Sequence, residues 1–66
     1  MKIIIEYQGK TYEGAESKKH TAKQAKDLMY KELEKLEKLS LELKDGGFLL
    51  LGENAVRSCV IKILDT

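Results

Sequence analysis

A long stretch without glycine or proline lies between two β-rich segments, and it limits the folds open to this chain. The stretch runs from Thr21 to Leu43 and is rich in Leu, Lys and Glu, which favour helices. Its first four residues form a capping box, in which Thr21 is the N-cap residue and Gln24 reaches back to it. The sequence therefore predicts a helix over residues 21–43, ended by the glycines of Lys44-Asp45-Gly46-Gly47.

The predicted helix has one broad apolar side, because its apolar residues fall together when each residue turns the helix by about 100°. They are Ala22, Ala25, Leu28, Met29, Leu33, Leu36, Leu39 and Leu43. Two residues break this pattern, since Glu32 falls within the apolar side and Leu41 falls on the polar side. The pattern indicates a helix that packs one side against a sheet.

The two flanking segments predict β-hairpins over residues 2–13 and 48–64. The first turns at Gln8-Gly9, where glycine supplies a positive φ, and it places Ile3, Ile5 and Tyr12 on one face. The second turns near Glu53-Asn54. We therefore expect a single α+β domain over residues 1–66 with the order ββαββ, in which two hairpins flank one long amphipathic helix on a four-stranded, mainly antiparallel sheet.

The second hairpin has apolar residues on both of its faces, which is typical of strands covered on both sides. One helix covers only one face of a sheet, so we expect a second copy of the chain or another protein to cover the other. The sequence predicts a homodimer, and its candidate self-association residues are Leu49, Leu50, Leu51 and Val60. The alternative is that Leu50 or Val60 is a scattered apolar residue of an ordinary surface.

The residues that catalysis requires are scarce, so we expect a protein that is not an enzyme and has no cofactor or metal. The one histidine, His20, falls in a lysine-rich loop, and the one cysteine, Cys59, falls in a predicted strand. A single cysteine and a single histidine also exclude a disulfide framework and the usual structural zinc sites. The only glycine pair, Gly46-Gly47, follows the predicted helix, whereas a phosphate-binding loop precedes one.

Positive charge is concentrated at the start of the predicted helix, although the whole chain has a net charge of only +1. Between Lys18 and Lys31 there are five lysines and one acidic residue, Asp27. The candidate phosphate or ligand residues are Lys18, Lys19, Lys23 and Lys26. Tyr30 could add a stacking surface for a base. The alternative is a solvated run of charges.

Glu32 is a carboxylate on the apolar side of the predicted helix, where an unpaired charge costs several kcal/mol. Arg57 and Lys62 are its candidate partners, within one chain or across a dimer. Glu32 could instead recognise a basic ligand at the edge of the core.

The opening Met-Lys-Ile-Ile-Ile-Glu-Tyr-Gln-Gly-Lys-Thr-Tyr-Glu and the tail Gly-Phe-Leu-Leu-Leu-Gly-Glu-Asn-Ala resemble small uncharacterised proteins encoded by phages and prophages of Gram-positive bacteria. The resemblance is one of style over the whole chain, so no functional residue carries over from it. It implies an inhibitor that binds a host or defence protein, or a sponge that sequesters a nucleotide signal.

We therefore expect a small non-catalytic binding protein, homodimeric, that contacts an unidentified protein partner. The charged side of the helix or the outer edge of the first hairpin would meet that partner. The alternative is a binder of nucleic acid or of a phosphorylated small molecule through the lysine cluster. The longest apolar run, Phe48 to Leu51, is far shorter than a membrane span, so we expect a cytoplasmic protein without a membrane partner.

Overall fold

The computed structural model describes residues 1–36 and 38–65, and this part of the chain has an α+β fold. Its elements are β1 (Lys2–Tyr7), β2 (Lys10–Glu13), α1 (Ala22–Leu36), β3 (Leu39–Glu42), β4 (Phe48–Leu51), α2 (Glu53–Ser58) and β5 (Val60–Leu64). The strands form two antiparallel sheets, one with the order β2-β1-β5 and one made of β3 and β4. The predicted α+β class is confirmed, but the single four-stranded sheet is wrong.

The first hairpin has the predicted turn and register. Gln8 and Gly9 have φ values of 50° and 78°, which suit a two-residue turn that follows the twist of the strands. Ile5 lies opposite Tyr12 in β2 and opposite Ile61 in β5. Residues that pair across antiparallel strands share a face, so one face of this sheet is apolar and turns towards the core.

Helix α1 begins as predicted but ends earlier. The Thr21 N–H donates to Gln24 Oε1 at 3.0 Å, and the Gln24 N–H donates to Thr21 Oγ1 at 3.2 Å, so both bonds of the capping box form. The predicted continuation to Leu43 is wrong, because residues 39–42 form β3 instead. Of the predicted helix, Glu37 and the side chain of Leu36 lie outside the described residues.

The Lys44–Gly47 segment is a hairpin turn between β3 and β4, and the predicted helix C-cap is wrong. Gly46 has a φ of 96°, a left-handed conformation that favours glycine. The Leu43 N–H donates to the Gly47 carbonyl at 2.7 Å, and Asp45 Oδ1 accepts from the Gly47 N–H at 3.1 Å. These bonds close the turn.

The predicted second hairpin over residues 48–64 is also wrong. Helix α2 occupies the place of the expected turn near Glu53-Asn54. Within this helix, Arg57 forms a 2.8 Å ion pair with Glu53, four residues earlier. Strand β4 pairs with β3, and β5 pairs with β1. The early end of α1 supplies the strand that pairs with β4, so β5 is available to complete the other sheet.

Gly14 joins the two sheets. Its N–H donates to the Ile3 carbonyl at 2.8 Å, and its neighbours Ala15 and Glu13 form backbone hydrogen bonds with the last residue of β3 and with the turn that follows it. The Ala15 N–H donates to the Glu42 carbonyl at 2.8 Å, while the Glu13 carbonyl accepts from the Lys44 N–H at 3.1 Å. Gly14 and Leu43 thus form an antiparallel bridge between the sheets.

The core is small and lies between α1 and the inner faces of both sheets, since α1 packs against β3 and β5. Its buried cluster comprises Ile3, Ile5, Leu39 and Leu51, with Ala25 of α1 also buried. Leu28, placed on the apolar side of the predicted helix, is 50% exposed and does not belong to the core. The helix therefore contributes a narrower apolar stripe than the sequence predicted.

Candidate interaction surface

Strand β4 presents two large apolar side chains to solvent. Phe48 is 70% exposed and Leu50 is 76% exposed. They alternate with Leu49, which is half-buried, and Leu51, which is buried at 5% exposure. Side chains alternate between the faces of a strand, so β4 turns Leu49 and Leu51 towards the core and Phe48 and Leu50 away from it.

Strand β4 is also an edge strand, because it pairs only with β3. It consists of Phe-Leu-Leu-Leu, whereas each of the other described strands contains a charged residue. Natural edge strands usually have charges, particularly lysine, which oppose pairing with another chain. The other described edges follow this rule, with Lys10 in β2 and Lys62 in β5. Strand β4 therefore lacks the usual protection.

The direction of the backbone groups of β4 follows from the bonds of β3. The Glu42 carbonyl points away from β4, because it accepts from Ala15 on the other side of β3. Glu42 lies opposite Phe48, so this is a non-hydrogen-bonded pair, and the Phe48 N–H and C=O also point away from β3. The pattern repeats every two residues, so the Leu50 groups point the same way. Outside the ladder, no backbone bond among the described residues uses Phe48 or Leu50.

The four predicted self-association residues do not form one surface. Leu49 and Leu51 turn inward and contribute to the core, so only Leu50 and Val60 remain outside. Val60 is 53% exposed and lies on the outer face of the three-stranded sheet, beside an ion pair in which Lys62 Nζ lies 3.1 Å from Glu6 Oε1. Leu50 belongs to the other sheet.

The lysine cluster is divided between two places. Lys23 and Lys26 line a groove of about 520 Å³ between α1 and β5, together with Tyr30. The apolar side chains that line the same groove are Met29, Leu33, Cys59, Ile61 and Ile63. Lys18 and Lys19 line a separate depression near Met1. The groove brings the predicted stacking residue together with two of the four lysines.

The first turn of α1 is already occupied by a carboxylate of the same chain. The Ala22 N–H donates to Asp65 Oδ1 at 2.6 Å, so the C-terminal end of the described chain caps this helix. A carboxylate is favourable at this end of a helix because of the macrodipole. An anion in the groove would therefore depend on the lysine side chains more than on helix N–H groups. Asp65 was not among the predicted site residues.

The predicted partners of Glu32 are engaged elsewhere. Arg57 pairs with Glu53, and Lys62 pairs with Glu6. Glu32 is half-buried and lines a shallow depression with Lys38 and Leu50, next to β4. The predicted pairing with Arg57 or Lys62 within one chain is therefore wrong.

The described residues do not bring the single cysteine and histidine together in one cavity. Cys59 is half-buried at the groove, where its Sγ donates to the Val56 carbonyl at 3.4 Å, and His20 is exposed beside Lys19 in the other depression. Within residues 1–36 and 38–65, no cluster of three or more His, Cys, Asp or Glu residues could hold a metal ion. None of the described helices is long and apolar enough to cross a membrane.

Phe48 was missing from the predicted self-association residues, because the pairing of β4 with β3 makes β4 an edge strand and the sequence did not reveal that pairing. Side chains alternate between the two faces of β4. Phe48 and Leu50 therefore share the exposed face, and Leu49 and Leu51 share the inner face.

No known protein family matches the chain, and no curated protein or solved structure is significantly similar to it.

Proposed function

We propose that the chain is a small non-catalytic binding protein that works as a homodimer by protein–protein contact, and that β4 is the contact between the two copies. One observation supports this most strongly: β4 is an uncharged edge strand with two large, exposed apolar side chains. Exposed apolar edges of this kind pair readily with another strand.

The energetics are those of a weak dimer. Cross-strand contact between Phe48 and Leu50 of the two copies covers only part of each side chain, so it contributes less than the about 6–12 kcal/mol that full burial would give at about 1.5–3 kcal/mol for each side chain. Association costs about 4–15 kcal/mol in lost freedom of motion, so apolar contact offsets at most that cost. The backbone hydrogen bonds of the paired edges add about 0.5–1.5 kcal/mol each. We therefore expect a weak dimer that forms at roughly millimolar concentrations.

Pairing through β4 leaves other surfaces available for a different protein. The solvent side of α1 is exposed and has both signs of charge, with Lys31, Glu34 and Lys35 among its residues. The β2 edge, which includes Lys10, is also exposed. In this proposal one of these surfaces binds the partner, and inhibition of a host or defence protein is the role that the resemblance to phage proteins adds.

The test is the solution mass of the chain by light scattering over a range of concentrations. Leu50→Glu places a charge in the uncharged edge, so we expect it to produce a folded monomer, with the fold checked by circular dichroism. Val60→Glu is the matched control, because Val60 is an exposed apolar residue of the other sheet. We expect it to remain dimeric. A monomeric parent chain, or a dimer broken by Val60→Glu alone, would refute the β4 contact.

A second candidate function is the binding of an anionic, partly aromatic molecule, such as a nucleotide, in the groove between α1 and β5. It is favoured by the groove that joins Lys23, Lys26 and Tyr30 to an apolar floor. The charge is moderate, because Lys26 Nζ already lies 4.0 Å from Asp27 Oδ1.

This candidate is tested by titration with ATP and with single-stranded oligothymidine. We expect Lys23→Glu to weaken binding about tenfold and added salt to weaken it steeply. Lys19→Glu is the control, since Lys19 lines the other depression. Equal losses in both variants would indicate diffuse attraction and would contradict a site in the groove.

A further inference from the structure

We infer that two copies of the chain pair through antiparallel β4 strands with Leu49 at the two-fold axis, so that Phe48 of each copy lies opposite Leu50 of the other. This inference rests on the proposed homodimer and specifies its register. It would join the two β3–β4 hairpins into one continuous four-stranded sheet.

The alternation of side chains restricts the possible registers. Residues opposite each other in an antiparallel pair point to the same face, so an outward side chain must lie opposite another outward side chain. Phe48 and Leu50 point outward, and Leu49 and Leu51 point inward. A two-fold axis between two residues would place an outward side chain opposite an inward one. The axis must therefore pass through a residue, and the candidates are Phe48, Leu49 and Leu50.

The unpaired backbone groups select Leu49 among these three. Only Phe48 and Leu50 turn their N–H and C=O groups towards the open edge, as the bonds of Glu42 show. An axis at Leu49 places these two residues opposite each other, and all four of their groups then bond across the dimer. The contact contains four backbone hydrogen bonds, counted from both copies, without any change in the fold of either.

A two-fold axis at Leu50 or at Phe48 would leave backbone N–H and C=O groups of the β4 edge without suitable partners. An axis at Leu50 pairs Phe48 with Gly52 of the other copy, but the Gly52 carbonyl already accepts from the Val56 N–H at 3.0 Å as α2 begins. An axis at Phe48 pairs Leu50 with Gly46, which is in the turn with a φ of 96° and cannot continue a strand. The axis through Leu49 is therefore the one in which all the open backbone groups of the β4 edge form hydrogen bonds.

The side chains are compatible with this register. Phe48 and Leu50 would form an aromatic–aliphatic pair at each end of the contact, and such cross-strand pairs stabilise sheets. Ser40 and Glu42 flank them on the outer face, opposite Leu50 and Phe48 in β3. The two-fold axis thus produces an apolar patch of four side chains with a polar border, and no charge within β4 opposes it.

Disulfide cross-linking in a Cys59→Ser background tests the register. Phe48→Cys and Leu50→Cys are prepared as separate chains, since both positions are exposed and the substitutions leave the core intact. In the inferred register these positions are opposite, with Cα atoms about 5.5 Å apart, which a disulfide can bridge. We expect the mixture to give about tenfold more cross-linked product than either chain alone, where the positions are offset by two residues.

Leu49→Cys gives a second measurement, because Leu49 would lie opposite itself at a Cα distance of about 4.5 Å. We expect this chain to cross-link with itself under mild oxidation. Preferential cross-linking of Leu50→Cys with itself would place the axis at Leu50 and overturn the inferred register. A chain that is dimeric by light scattering but cross-links at none of these positions would overturn β4 pairing. A monomer by light scattering would instead refute the proposed homodimer itself.

Discussion

Gly14 lies where the two sheets meet, and a side chain at this position would be crowded. A Cβ atom at this position would lie 3.1 Å from both Cδ atoms of Leu41 and 3.2 Å from the Ile3 carbonyl oxygen. Both distances are shorter than an ordinary van der Waals contact, and the backbone carbonyl cannot move without disturbing β1. Close packing between the end of β2 and the β3–β4 hairpin therefore favours glycine at this position.

We expect Gly14→Ala to destabilise the chain by about 1–3 kcal/mol through overpacking. Chemical denaturation measures this as a lower midpoint. Gly47→Ala is the control, because the nearest atom to its added Cβ would be Asp45 Oδ1 at 3.4 Å, an ordinary contact. Equal midpoints for the two variants would contradict the packing at the junction.

Asp65 is the second residue whose role the fold explains. Its carboxylate accepts the Ala22 N–H at 2.6 Å and so satisfies one of the donors that a helix leaves unpaired at its start. We expect Asp65→Ala to destabilise the chain by about 0.5–2 kcal/mol, as the loss of a helix cap does. Asp65→Asn retains an acceptor without the charge, so it should lose less. A midpoint unchanged in Asp65→Ala would show that the bond contributes nothing.

The two caps of α1 differ in how far the sequence reveals them. The Thr21–Gln24 capping box is local, since its partners are three residues apart, and it was predicted correctly. Asp65 is separated from Ala22 by 43 residues, and nothing in the local pattern connects them. The role of Gly14 could not be predicted from the sequence for the same reason, because it too depends on contacts between distant parts of the chain.

Among the elements, the boundary between α1 and β3 decides the topology. Leu39 and Leu43 fit both a helical repeat and a strand alternation, so they do not distinguish the two. Leu41 does, because a continued helix would expose it while the strand packs it beside Gly14. The residue that broke the predicted helix was thus the sign of a strand, and pairing with β4 overrode the high helix propensity of this segment.

Leu41→Ala tests this boundary. Because Leu41 is half-buried in β3 and packs against the core cluster, we expect its truncation to lower the free energy of unfolding by about 1–3 kcal/mol. Ser40→Ala, one residue earlier and exposed on the outer face, should change it by less than about 0.5 kcal/mol. A helix continuing to Leu43 would give little effect in Leu41→Ala, so that outcome would contradict the strand.

Helix α2 escaped prediction for a different reason. It spans only Glu53–Ser58, which is too short for a helical repeat to emerge from the sequence. Ala55 and Val56 reach the core from it, so the segment is held by tertiary packing. The strands on either side of it were predicted as each other's partners because they are neighbours in sequence, although each pairs with an earlier strand.

At the scale of the whole molecule, the sequence indicated that one helix leaves part of the apolar sheet surface uncovered. It did not indicate which surface that is. The sequence predicted apolar residues on both sides of the last strands, and the structure has exposed apolar side chains on both β4 and β5. Which of them form an edge depends on strand pairing, which the sequence did not reveal. The proposed contact therefore moves from a set of four residues to the edge defined by Phe48 and Leu50.

Hydrogen exchange of individual β4 amides distinguishes a paired β4 edge from an open one. In a monomer, the N–H groups of Phe48 and Leu50 point to solvent and those of Leu49 and Leu51 bond to β3. In the paired dimer all four are bonded. We predict that Phe48 and Leu50 exchange at least about tenfold more slowly in concentrated than in dilute protein, while Leu49 and Leu51 stay protected throughout. Unprotected Phe48 and Leu50 amides at every concentration would contradict pairing through β4.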